Sequence, residues 1–137
     1  MRMGAKSVIK RINKILKKAQ KEGGFVAAII TTYEGLCLAA VDINENNDSI
    51  AAMTSRIDET IRQSENDLGL STVNEIVLRG ANKMQIAARH ILIGGHKFIF
   101  AAMFPANRSF RLIMNKTMKK IMPLLTQFLE GERRSSV

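Results

Sequence analysis

FVAAIITTYEGLCLAAVDI, residues 25–43, decides how the rest of the chain is read. Two apolar arms, 25–31 and 36–41, flank a polar pinch at Tyr33, Glu34 and Gly35. Each arm is short and bounded by turn signals, which predicts two strands. Gly35 tolerates the positive φ that a tight connection between them demands. The stretch also holds the one cysteine, Cys37. A nucleophilic thiol needs a cation, a helix N-terminus or a base within reach. Cys37 has apolar and acidic sequence neighbours, so it reads as a small buried hydrophobe. The stretch is a hairpin, not a reactive centre.

Upstream, residues 6–21 predict a helix. Val8, Ile9, Ile12, Ile15, Leu16 and Ala19 fall on one face at helical spacing, and lysines fill the other. Lys6, Lys10, Lys14 and Lys18 repel each other at four-residue intervals, so the helix must dock its apolar face to persist. Gly23 and Gly24 end it. Downstream, a polar loop leads to a second helix from Asn47 or Asp48, with an apolar stripe of Ile50, Met53, Ile57, Ile61, Ser64 and Leu68, stopped by Gly69.

Three strands follow, at 73–79, 83–93 and 97–104. In the second, Met84, Ile86 and Ala88 face one way and Lys83, Gln85, Ala87 and Arg89 the other. In the third, Phe98, Phe100, Ala102 and Phe104 share a side. Gly80-Ala81-Asn82 and Gly94-Gly95 mark the turns between them. A last helix starts near Arg108, with Pro123 expected to kink or split it. The fold class is α+β: a five-stranded antiparallel sheet covered by helices, in the order α-β-β-α-β-β-β-α. We divide the chain into a basic amphipathic helix (1–22), an α/β sandwich domain (23–130) and a flexible tail (131–137).

The charge is segregated. Residues 1–21 carry eight bases and no acid, 22–104 six bases and ten acids, and 105–137 seven bases and two acids, for a net charge of +9. Two basic ends thus flank an acidic middle. Basic runs most often keep a protein in solution, but Lys6, Lys10, Lys14, Lys17 and Lys18 are candidates for contact with an anionic surface. With one cysteine and no apolar leader or spanning stretch, the expected location is cytoplasmic.

Catalytic chemistry is thin. His90 and His96 flank a turn and could face each other across it, but cations sit beside them and no carboxylate does; solvent-facing strand ends are the plainer reading. Glu34, Asp42 and Glu45 lie in a turn and a loop without an oriented partner. There is no glycine-rich phosphate loop. We expect no catalytic residue, no metal, no cofactor and no enzyme.

The element order and three strings resemble the Roadblock (dynein light-chain) family. They are AAIITTYEGLCLAA in the first hairpin, FIFAAMF in the last strand and NRSFRLIMNK at the start of the final helix. The resemblance spans about residues 6–130. It implies a non-enzymatic homodimer that merges two sheets through the strand at 73–79, with the helices at 50–68 side by side. The interface candidates are then Met53, Ile57, Ile61, Ile76, Val77 and Leu78, packing of Met53, Ile57 and Ile61 onto their own sheet being an equal alternative. It also implies a platform that binds and regulates or scaffolds a small Ras-like GTPase. The exposed helix face, Arg56, Glu59, Arg62, Gln63 and Asn66, offers contact residues, with a solvated face as the plain alternative. A competing reading is an adaptor docked to an anionic membrane through the basic N-terminal helix. Nucleic acid is disfavoured, because no basic strand face interleaves with stacking aromatics. A small-molecule sensor would need convergent polar groups in a pocket, which the aliphatic strands do not offer.

Overall fold

The computed structural model describes residues 4–22, 24–43 and 47–135. Gly23 and Glu45 lie outside them, as does the side chain of Ile50. The elements are α1 (Ala5–Lys21), β1 (Ala27–Thr32), β2 (Cys37–Val41), α2 (Asn47–Asp67), β3 (Glu75–Arg79), β4 (Met84–Ile93), β5 (His96–Pro105) and α3 (Arg111–Ser135). The order is the one expected. The strands form one five-stranded sheet in the spatial order β2-β1-β5-β4-β3, antiparallel at every joint.

Tight turns set the register. Gly35 adopts φ 99° between β1 and β2. Between β4 and β5, Gly94 and Gly95 take φ 54° and 82°, the paired positive values that a two-residue hairpin matched to strand twist requires. The turn between β3 and β4 places its positive φ on Lys83 and not on Gly80.

Alternation along the strands divides the core in two. Ala28, Ile30, Ala87, Phe98, Phe100, Ala102 and Phe104 face α1 and α3 in the larger cluster. Ile29, Ala88, Ile99 and Ala101 face α2 in the smaller one. α1 and α3 lie antiparallel on their side of the sheet: Ala5 meets Gly131 at one end, and Gly24 sits beside Ile113 at the other. Val8, Ile12 and Leu16 are fully buried there, which is how the lysine-rich helix persists.

Two expectations change and a third narrows. Leu68, placed in the apolar stripe of α2, is 72% exposed, because the helix ends at Asp67 and Leu68 lies just past it. α3 begins at Arg111 and runs on to Ser135, into the segment expected to be a tail. Pro123 does not split α3. It is exposed, so the Lys119 carbonyl that loses its donor can turn to water, and Thr126 Oγ1 donates to the neighbouring Met122 carbonyl at 3.2 Å.

Candidate interaction surface

The two rims of the sheet differ. At the β2 rim, α1 lies alongside, and the Ala40 N–H donates to Asn13 Oδ1 at 3.3 Å. Gln20 Nε2, also from α1, donates to Asp42 just past β2. At the β3 rim, one side pairs with β4 from Glu75↔Arg89 to Arg79↔Gln85, and among the described residues no strand covers the other. An uncovered strand edge is a template for a further strand. Ile76 packs half-buried toward α2, Val77 packs toward the larger core, and Leu78 is 55% exposed. The strand is held in place by Glu75, whose Oε1 accepts from Arg89 Nε at 2.7 Å.

Among the described residues, α2 is the helix that covers its face of the sheet. Ile57 and Ile61 are buried against Ile29, Ala88, Ile99 and Ala101, so packing onto their own sheet accounts for both. Met53 remains 39% exposed, and Ile76, Ile86 and Val73 are only partly buried beside the cluster. Incompletely covered apolar surface therefore lies at Val73, Ile76 and Ile86 on the α2 face of the sheet, and Met53 adds an exposed apolar group on α2 itself. Arg56, Glu59, Arg62, Gln63 and Asn66 are all exposed on the outer face of that helix.

Under α2 lies a group that the sequence does not announce. Asp58 is 5% exposed. Its Oδ1 accepts from Lys97 Nζ at 3.0 Å, and its Oδ2 pairs with Arg62 Nε at 3.2 Å. His90 Nε2 lies 3.3 Å from Oδ1 but outside hydrogen-bonding geometry, which leaves that buried nitrogen without a partner. His90 is thus not a solvent-facing strand end, nor does it face His96. It pairs with Ile99, while His96 pairs with Ile93 and is exposed. A signal was present: even-numbered positions of β4 carry Met84, Ile86 and Ala88 to the α2 face, and His90 continues that parity. Asp58 had no such signal for its burial, since Arg62 four positions on is the exposed partner and the other two, His90 and Lys97, lie 32 and 39 positions along the chain. A cleft of ≈ 520 Å³ opens beside the cluster, lined by Tyr33, Glu34, Arg62, His96 and Lys97 among others.

The pKa of His90 is lowered from the ordinary 6.5, first because burial disfavours the charged ring and second because Lys97 is near; Asp58 and Glu65 oppose this without cancelling it. A base with a depressed folded pKa takes up protons more readily when unfolded. The stability it contributes is complete above 6.5 and declines as pH falls from there through the folded pKa. Urea midpoints measured on either side of 6.5 are expected to be lower on the acid side, and His90→Gln is expected to flatten that difference. An unchanged slope in the variant assigns the effect elsewhere.

Cys37 is partly buried and packs beside the α2 cluster. Among the described residues, no group of three or more His, Cys, Asp or Glu could hold a metal. Nor is any helix there long and apolar enough to cross a membrane.

No family model matches the chain, and no curated protein matches it in sequence. Solved structures do match. One described as MglB with a tetrameric arrangement superposes with a TM-score of 0.71 at 16% identity, covering 88% of this chain and 92% of that one. Myxococcus xanthus MglB gives 0.65 at 14% identity, with 90% of each chain covered. A Roadblock/LC7 domain from Streptomyces avermitilis gives 0.57 at 11%, covering 75% of this chain and 87% of that one. The fold is that of the Roadblock domain.

Proposed function

We propose that this Roadblock-fold chain is a non-enzymatic module that pairs with a second copy of itself and presents the joined α2 helices to a small Ras-like GTPase, which it regulates or scaffolds. The observation that carries the reading is the uncovered β3 rim beside incompletely buried apolar surface on α2 and β3. Pairing β3 with its copy satisfies the open backbone groups. The same pairing brings Met53, Ile76 and Leu78 under cover. Arg56, Glu59, Arg62, Gln63 and Asn66 stay outside and remain available for contact.

The purified chain is expected to scatter light as a dimer at micromolar concentration. Leu78→Arg is expected to raise the dissociation constant more than about 100-fold, because a buried guanidinium would face its own copy across the seam. Its intact circular dichroism would show that only pairing is lost. A wild-type monomer removes the reading. For the partner, the immobilised dimer is expected to capture a small GTPase from lysate in one nucleotide state in preference to the other. Capture of no GTPase in either state counts against that part alone.

A further inference from the structure

The charge segregation visible in the sequence becomes a property of faces in the fold. α1 carries seven bases and no acid, and α3 carries six bases and two acids, at Glu130 and Glu132 near its end. The two helices lie side by side on one face of the sheet. α2, on the opposite face, carries five acids and two bases. The molecule therefore has a basic plate on one side and an acidic helix on the other.

We propose that the α1–α3 plate is a docking surface for the anionic lipids of a membrane. Several observations favour lipid. The positive groups are mostly lysines, which act as point charges on a diffuse field and do not form the rigid bidentate fork that arginine offers. They are spread along α1 over roughly 25 Å, at about 1.5 Å per residue. The groove between the helices is small, ≈ 130 Å³, and is edged by Lys116 and Lys120 with Glu22 as its one acid, so the positive field lies on the exposed helix faces and not in a pocket. Among the described residues the exposed aromatic is Tyr33, in the turn between β1 and β2, and neither α1 nor α3 exposes one, so the helices offer no stacking platform for bases. Leu112 and Met122 are exposed on α3 at 64% and 38%, apolar groups suited to the headgroup boundary. The mode is adsorption and not helix insertion, because the apolar face of α1 is already committed: Val8, Ile12 and Leu16 are at 0% exposure.

A consequence rests on the pairing proposed above. Two β3 strands that join antiparallel are related by a two-fold axis perpendicular to the sheet. The plates of both copies then lie on one side and the α2 helices on the other. Membrane contact is doubled, and the GTPase-facing surface is turned away from the lipid.

The test sediments the full chain with vesicles of phosphatidylcholine, with or without phosphatidylserine, at low and high salt. Binding is expected only with phosphatidylserine, and weaker at high salt. The pair Lys10→Gln with Lys14→Gln, and separately Lys116→Gln with Lys119→Gln, should each weaken it about 25-fold, at about fivefold per lysine. Equal binding to neutral vesicles overturns the proposal. So does a loss confined to the α1 pair, or tighter binding to transfer RNA than to phosphatidylserine vesicles at the same salt. Light scattering on the same samples keeps the two ideas apart. A monomer with lysine-dependent binding upholds the plate and removes the pairing, whereas a dimer that ignores vesicles removes the plate and leaves the pairing.

Discussion

Asp58→Ala is expected to destabilise the fold by about 3 kcal/mol, the lower end of what removing one partner of a buried ion pair costs. The carboxylate is 8% exposed and holds Lys97 at 3.0 Å, with His90 Nε2 at 3.3 Å. Removing it leaves the Lys97 ammonium beside a desolvated imidazole, with the carboxylate that faced both gone. The loss stays near the lower end because the Lys97 side chain is 28% exposed and can recover some water. Arg62 adds little, since its side chain is 61% exposed and solvent screens the pair. Urea denaturation measures the effect. Adding Lys97→Met should recover part of the loss, because the stranded charge is then gone. A loss under about 1 kcal/mol would mean that Asp58 does not organise this face. As α2 is held to the sheet partly through Asp58, the variant should also weaken whatever the outer face of α2 binds.

Phe104→Ala is expected to cost about 4 kcal/mol. The ring is fully buried and touches two others: Phe25 edge-on at 6.1 Å and Phe110 tilted at 5.7 Å. These come from three places, the approach to β1, the end of β5 and the entry to α3. One deletion therefore opens a cavity where the first and last helices join the sheet, and aromatic contacts are lost as well as transfer free energy. Thermal and urea unfolding should agree. A change below about 1.5 kcal/mol, the scale of a volume-conserving swap, would mean that the site collapses onto the gap.

Much of this fold is legible from residue spacing. Period-two alternation in β4 and β5 assigns faces correctly because each strand packs on helices from both sides and each parity meets a different partner. Gly35 and the Gly94-Gly95 pair mark turns because their backbone geometry excludes most side chains. The order of elements follows from these signals. The candidate site is less legible. That 75–79 would form a rim depends on which strand ends up outermost, a matter of topology and not of the strand's own residues. Ile57 and Ile61 carry the same spacing whether they meet their own sheet or a copy; burial decides it. Asp58 sits one position along from Ile57 and has the local look of a solvated acid, because Lys97 and His90 reach it only through pairing far along the chain. The docking place of α1 is hidden for a related reason: an apolar stripe says that a helix must pack, but not against what.

The cap that Asn13 places over Ala40 bears on how many copies can assemble. With one backbone donor of the β2 margin already bonded from within, that margin is the poorer template, and on the pairing proposed above strand addition falls to β3. If β3 pairs with its copy, both of the better templates are used, which favours a symmetric pair over head-to-tail growth into a filament. Asn13→Ala would free that donor, and the concentration at which fibrous aggregates first form would fall.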